Sequence, residues 1–233
     1  MLAINNIAGL ADIYGMHEGS GRVSYKRLVN GGMLDFQITG MDYASLPPGS
    51  VIGLHDHPDS PEIWVVLNGS GKVQHEDSHV TLGPDQMLFT PAGGRHAMVN
   101  PDDAKAPIEF VVVTMMSPTP RAGGLDGSVV RQLGDGPVKF PGFGTDSYSI
   151  ELSHIAPGST VSIEDSEAQT LVFLTDGAAT VTWGSVVAGL TKGGTAGIPS
   201  GEHVNIRADP TSGCRMLAVC IRHEGFAPPA KTS

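Results

Sequence analysis

Two histidines placed two residues apart, His55 and His57, mark the part of this chain that can do chemistry. In a strand, residues i and i+2 point to one face, so both imidazoles reach a common point while Asp56 points away. Pro58, Asp59, Ser60 and Pro61 are turn formers, after which the chain re-enters a strand at Glu62. Glu62, Trp64 and Val66 share a face; if that face points inward, Glu62 meets the two histidines. Downstream, PAGGRH (91–96) makes a tight turn that delivers His96 to the start of another strand, HAMVN. Three neutral imidazoles and one carboxylate suit a borderline divalent ion: Fe(II), Mn(II), Ni(II), Zn(II), Co(II) or Cu(II). Calcium and magnesium prefer shells made of oxygen alone. Four protein ligands around an octahedral ion leave two positions for water, dioxygen or a bidentate substrate.

The elements that must position these residues form a pattern written twice. LDFQITGMDYASLPPGSVIG (34–53) has a counterpart in YSIELSHIAPGSTVSI (148–163), each an alternating strand, a Pro-Gly turn and a further strand. EIWVVLNGSGKV (62–73) pairs with QTLVFLTDGAATV (169–181), MLFTPAGGRH (87–96) with TAGIPSGEH (195–203), and IEFVVVTMM (108–116) with CRMLAVCIR (214–222). Four matches in one order indicate duplication. Each half therefore has many short strands at regular spacing and little helix, the pattern of a sandwich or barrel. The 31 glycines and 17 prolines in 233 residues fit short strands joined by turns. We expect an N-terminal arm over 1–20, a first barrel over 21–118, a linker over 119–145, a second barrel over 146–226 and a disordered tail over 227–233.

These motifs resemble the cupin superfamily. Its first motif, G-x5-HxH-x3-4-E-x6-G, is filled by Gly49, His55, His57, Glu62 and Gly69. Its second, G-x5-PxG-x2-H-x3-N, is filled by Pro91, Gly93, His96 and Asn100, though not at its leading glycine. The resemblance implies an all-β bicupin: two tandem jelly-roll barrels, each with its pocket inside. It assigns His55, His57, Glu62 and His96 as ligands to one divalent transition metal, Fe(II) favoured. In the second copy, counting from Gly158 puts Glu164 and Ser166 at the histidine positions. Counting back from Gly177 puts Thr170 at the glutamate, while His203 stands near the last ligand. The second barrel is expected to be structural, with Glu164 and His203 a weak alternative site.

Around the metal, Trp64, Arg95, Tyr43, Phe89 and Met98 are candidate substrate-binding residues, and Glu62 and His96 candidate catalytic ones. Trp64 either stacks on a substrate or fills the barrel. Arg95 could hold a carboxylate, though its neighbour His96 faces inward and Arg95 therefore outward. Lys26 and Arg27 are further pocket candidates, Met87 and Phe110 wall residues, and His75 and His79 belong to a hairpin at the surface. Cys214 and Cys220 read as two thiols on one apolar run, without a disulfide framework.

The formal net charge of −10 opposes binding to phosphate backbones and to anionic membranes. No apolar run approaches the roughly 20 residues of a membrane span, and no signal peptide is visible, so a cytoplasmic protein is expected. No GxSxG, P-loop or CxxC occurs. The leading functional expectation is a non-haem Fe(II) dioxygenase acting on a small polar metabolite. The alternatives are a redox-neutral isomerase, epimerase or lyase, and a small-molecule binding module. A homodimer is expected, as cupins commonly dimerise through their sheets.

Overall fold

The computed structural model describes residues 2–31, 38–115, 129–134, 136–141 and 146–223. The Pro- and Gly-rich stretch 117–128 and the tail 227–233 lie outside them. Among the described residues the strands, in chain order, are β1 (Ala3–Asn6), β2 (Ala11–Tyr14), β3 (Arg22–Asn30), β4 (Ile38–Leu46), β5 (Val51–Asp56), β6 (Glu62–Asn68), β7 (Gly71–His75), β8 (Ser78–Leu82), β9 (Gln86–Thr90), β10 (Arg95–Val99), β11 (Ile108–Met115), β12 (Val129–Gln132), β13 (Val138–Pro141), β14 (Asp146–Ile155), β15 (Thr160–Glu164), β16 (Ala168–Trp183), β17 (Val186–Thr191), β18 (Gly194–Ile198), β19 (His203–Ala208) and β20 (Cys214–His223). A 3₁₀ turn, Met16–Glu18, interrupts them.

The strands fall into two compact units, one of residues 7–28 and 38–132, the other of 1–6, 29–37 and 133–233. The first twenty residues do not stand off as one arm. β1 pairs with β18 in the second unit, and β2 pairs with β3 in the first. The expected linker likewise contributes strands: β12 pairs with β9, and β13 with β14.

In the first unit two antiparallel sheets form the barrel, in the orders β12-β9-β6-β11-β4-β3-β2 and β5-β10-β7-β8. Alternation puts Trp64, Val66, Leu88, Met98 and Phe110 into one buried cluster between them. Each such side chain contributes roughly 1.5–3 kcal/mol of transfer free energy. The second unit repeats the plan, with Val172, Leu174, Ala196, Ile206 and Met216 in its cluster. There β16 runs unbroken through the stretch that the first unit divides into β6 and β7.

One pair of glycines has the same geometry in each half. Gly69 and Gly177 both have φ of 75°, and a Cβ on either would lie 2.3 Å from a carbonyl oxygen, of Pro107 and of Gly213 respectively. Only glycine fits both the backbone and the space. The duplication seen in sequence is thus a duplication of backbone geometry.

Candidate metal centre

β5 carries His55, and its continuation carries His57. Backbone bonds tie that continuation to the PAGG turn: the His57 N–H donates to the Gly94 carbonyl (2.8 Å), and the Gly93 N–H to the His57 carbonyl (2.6 Å). Glu62 is the first residue of β6 and His96 the second of β10. The pairing of β5 with β10 contains a bulge. His96 lies opposite His55 and Met98 opposite Ile52, so β5 holds one more residue than β10 across that interval. A bulge shifts which face later residues take. Here Leu54 is exposed and His55 turns into the barrel.

The four ligand atoms lie within 4.8 Å of one another. The Nε2 atoms of His57 and His96 are 3.0 Å apart, and those of His96 and His55 3.2 Å. Glu62 Oε2 stands 3.2 Å from His96 Nε2 and 3.5 Å from His57 Nε2. The outer nitrogens fix the tautomers. His55 Nδ1 donates to the Gly53 carbonyl (2.9 Å) and His57 Nδ1 to the Ser60 carbonyl (3.2 Å), because a carbonyl can only accept. Neutral His55 and His57 therefore present bare Nε2 lone pairs to the centre. His96 Nδ1 is bonded to the Thr90 hydroxyl at 2.7 Å. The Nε2 lone pairs of His55 and His57 and the Glu62 carboxylate face one point, and a cation there is attracted by all three. The donor set fits a divalent transition metal on this ground, and each imidazole has the outer hydrogen bond that metal-bound histidines usually have.

Burial governs the electrostatics. His96 is fully buried, and His57 and Glu62 nearly so. Desolvation lowers the pKa of His55 to about 4 and outweighs the bond to Gly53. His96 is likewise held low, by burial against the attraction of Glu62. For Glu62, burial pushes the carboxyl up, but the hydrogen bond and charge of His96, aided by His57 and Thr114, bring it down to about 2. A neutral His55, a neutral His96 and an ionised Glu62 are the forms in which a metal can be bound, and burial and the neighbouring groups favour them.

Glu62 is also held by groups that sequence reasoning did not assign to it. The Trp64 indole N–H donates to Oε2 (2.8 Å) and the Thr114 hydroxyl to Oε1 (2.8 Å). Trp64 is buried, its ring 3.8 Å from that of His96 and 5.4 Å from Phe110. Its role is thus to orient a ligand as well as to fill the barrel. Thr90 and Thr114 give no signal in the linear sequence, since their partners are brought to them only by strand pairing.

A cavity of about 690 Å³ opens beside the four residues. His55, His57, Glu62, Trp64 and Phe110 line it, and so do Tyr25, Arg27 and Asp42. Four expected contacts are not among its lining. Tyr43 is buried, while its neighbours Asp42 and Ala44 face in, as strand alternation requires. Met98 packs in the barrel core, and Phe89 alternates with the core residue Leu88 and so turns to the other face of β9. Arg95 is exposed and pairs with Asp56 at 3.1 Å. Lys26 is half-buried with its ammonium on the Ala8 carbonyl and does not line the cavity, His79 is exposed, and His75 lies on β7 beside His96 without lining the cavity.

His17 is the addition that sequence did not flag. It sits in the 3₁₀ turn with φ of 52°, its ring stacked on His55 at 3.7 Å and 7°. The turn lies backbone to backbone on β5: a Cβ on Gly53 would be 1.9 Å from the His17 carbonyl oxygen. Burial lowers the His17 pKa, with Glu62 opposing.

Strand register shows why the second barrel lacks such a group among the described residues. Val73 pairs with Met98, and its counterpart Val181 pairs with Ile206. Val204 therefore stands where His96 does. β15 and β19 pair without the bulge, Val204 opposite Ile163 and Ile206 opposite Val161. Ile163 takes the place of His55 and Asp165 that of His57, one residue earlier than counting from Gly158 suggests. Thr170 holds the Glu62 position, and Ile198 replaces Thr90. His203 is not a surviving ligand. It lies opposite Glu164, and both are exposed.

Residues 42–114, which hold all four metal-site side chains, match the family described as Cupin domain. That segment of the chain is a cupin domain. As a whole the chain has the bicupin fold. It is similar to the crystal structure of YlbA from Escherichia coli, with a TM-score of 0.73 at 12% identity over 95% of this chain and 90% of that one. The bacterial pirin YhhW from Escherichia coli, solved with nickel(II), gives 0.70 at 14% identity over 94% and 98%. Among curated proteins, this cupin is 28% identical over 104 residues to an oxalate-binding protein of Thermotoga maritima, 45% of this chain and 84% of that one. It is also 28% identical over 102 residues to the tetracenomycin polyketide synthase protein TcmJ of Streptomyces glaucescens, 44% and 68%. No helix among the described residues is long and apolar enough to cross a membrane.

Proposed function

We propose that this cupin is a metal-dependent enzyme acting on a small polar metabolite, and that its resident metal is Fe(II) in a non-haem dioxygenase. The observation that carries the proposal is the convergence of bare imidazole nitrogens and a depressed carboxylate beside a cavity of about 690 Å³. A bound divalent ion there would supply Lewis acidity and, as Fe(II), a site for dioxygen. The protein groups do the rest. Trp64 and Thr114 fix Glu62, the Gly53 and Ser60 carbonyls fix the His55 and His57 tautomers, and the apolar wall of Phe110, Val112 and Ile52 limits water. The match to an oxalate-binding protein supports a small chelating ligand.

A redox-neutral isomerase, epimerase or lyase is the second reading. His17 favours it, because it lines the cavity and can hold or move a proton at a ring nitrogen. Oxygen consumption with Fe(II), Mn(II), Ni(II), Zn(II), Co(II) or Cu(II) protein separates the two. Turnover that stops under anaerobic conditions supports the dioxygenase; turnover undiminished without oxygen, or retained with zinc, refutes it. A homodimer and a cytoplasmic location are part of the same proposal. Sedimentation at micromolar concentration and fractionation of cells test them.

A further inference from the structure

The cavity holds a second polar group, separate from the metal ligands. Arg27 on β3 lies across β4, with its Nε on the Asp42 carboxylate, Nη1 donating to the Thr39 carbonyl (3.3 Å) and Nη2 to the Tyr25 hydroxyl (3.3 Å). Tyr25 in turn bonds Asp42. Asp42 is 3% exposed, so this carboxylate is taken out of water to hold the guanidinium in place. Gly40 completes the cradle, because a Cβ there would stand 2.5 Å from Arg27 Nη1. Burial, then the bond to Asp42, pushes the Tyr25 phenol up to about 12, so it stays a hydrogen-bond donor.

Three of the five guanidinium N–H groups are used in this way, which leaves two donors on a side chain that lines the cavity. The Arg27 side chain is about half exposed, toward the same space. A divalent ion, Glu62, Arg27 and Asp42 together carry one net positive charge, so the occupied pocket favours an anionic ligand over a neutral one. A fixed fork of donors matches a carboxylate.

We propose that Arg27 is the carboxylate-binding residue of this site, and that the substrate is a small organic acid held at two points, a chelating end at the metal centre and a carboxylate on Arg27. The proposal rests on the metal-enzyme reading above and narrows its substrate class. Asp42 and Tyr25 are positioning residues, which act by fixing Arg27.

The test uses the full chain loaded with Co(II). Its visible bands and calorimetry are read while adding acetohydroxamate, or hydroxamates that carry a carboxylate after one to four methylenes, each beside its neutral primary amide. The wild type should bind at least one carboxylate at least about tenfold tighter than its amide. Arg27→Gln should abolish that preference and leave acetohydroxamate affinity within about twofold. The double variant Arg27→Gln, Asp42→Asn removes the pair together, leaves no buried unpaired carboxylate, and should behave like the single one. No preference for any carboxylate in the wild type overturns the proposal, and so does a preference retained without Arg27. In both cases acetohydroxamate still binds and the metal-enzyme reading stands. A chain that takes up no Co(II) overturns both.

Discussion

The indole of Trp64 is the most informative place to perturb the metal centre without touching a ligand. Its N–H reaches Glu62 Oε2 at 2.8 Å, the oxygen that also faces His96 and His57. Trp64→Phe keeps a ring over His96 and removes this donor. A hydrogen bond to a buried charge is worth roughly 1.5–3 kcal/mol. Partners of metal-bound groups typically carry about 10–100-fold in metal affinity, the same range in free energy. Phenylalanine also leaves a void, which complicates any stability measurement. Thr114→Val therefore serves as a companion: it is nearly isosteric and removes only the hydroxyl on Oε1. Each variant should weaken Zn(II) or Co(II) binding by about 10–100-fold, read by competition against a fluorescent chelator. The metal-free melting temperature should fall for both variants, and further for Trp64→Phe, which also leaves a void. Metal affinity within threefold of wild type in both variants would refute the claim that the two donors orient Glu62.

His55→Ala or His96→Ala should lose most bound metal by elemental analysis, whereas Glu164→Ala and His203→Ala, both at exposed positions, should retain it; equal loss would show a second working site. Metal-free protein should lose stability as pH falls. His55 titrates at 6.5 when unfolded and about 4 when folded, and Glu62 at 4.5 and about 2. The unfolded chain binds more protons between those values, so the contribution is full above about 6.5 and is lost toward about 2. A wild-type melting temperature that falls no more than that of His55→Asn between pH 6.5 and 4 would contradict this sign. Gly53→Ala should displace the turn that carries His17, since its Cβ would meet the His17 carbonyl at 1.9 Å, and should lower the melting temperature by several degrees. An unchanged melting temperature would show that the close approach does not matter.

Much of this protein is legible from its sequence. Period-two alternation and regular turns give an all-β chain, because side chains of a half-buried strand must alternate. The repeat gives two barrels. HxH, Glu and the PxGxxH turn give the ligands, since a metal needs particular donor atoms and these are rare together. The second barrel shows where counting ends. Spacing from Gly158 points to Glu164 and Ser166, but β15 lacks the bulge that β5 has, and one residue changes which face is buried. Linear order does not record a bulge; only the pairing partner does. Strand pairing likewise decided which polar groups serve the site. Thr90, Thr114 and the indole of Trp64 serve the ligands, and Tyr25, Arg27 and Asp42 face the cavity where Tyr43 and Arg95 do not. The sequence determined that a metal can be held. The tertiary structure decided what surrounds it, because groups far apart in the chain meet only when the sheets close.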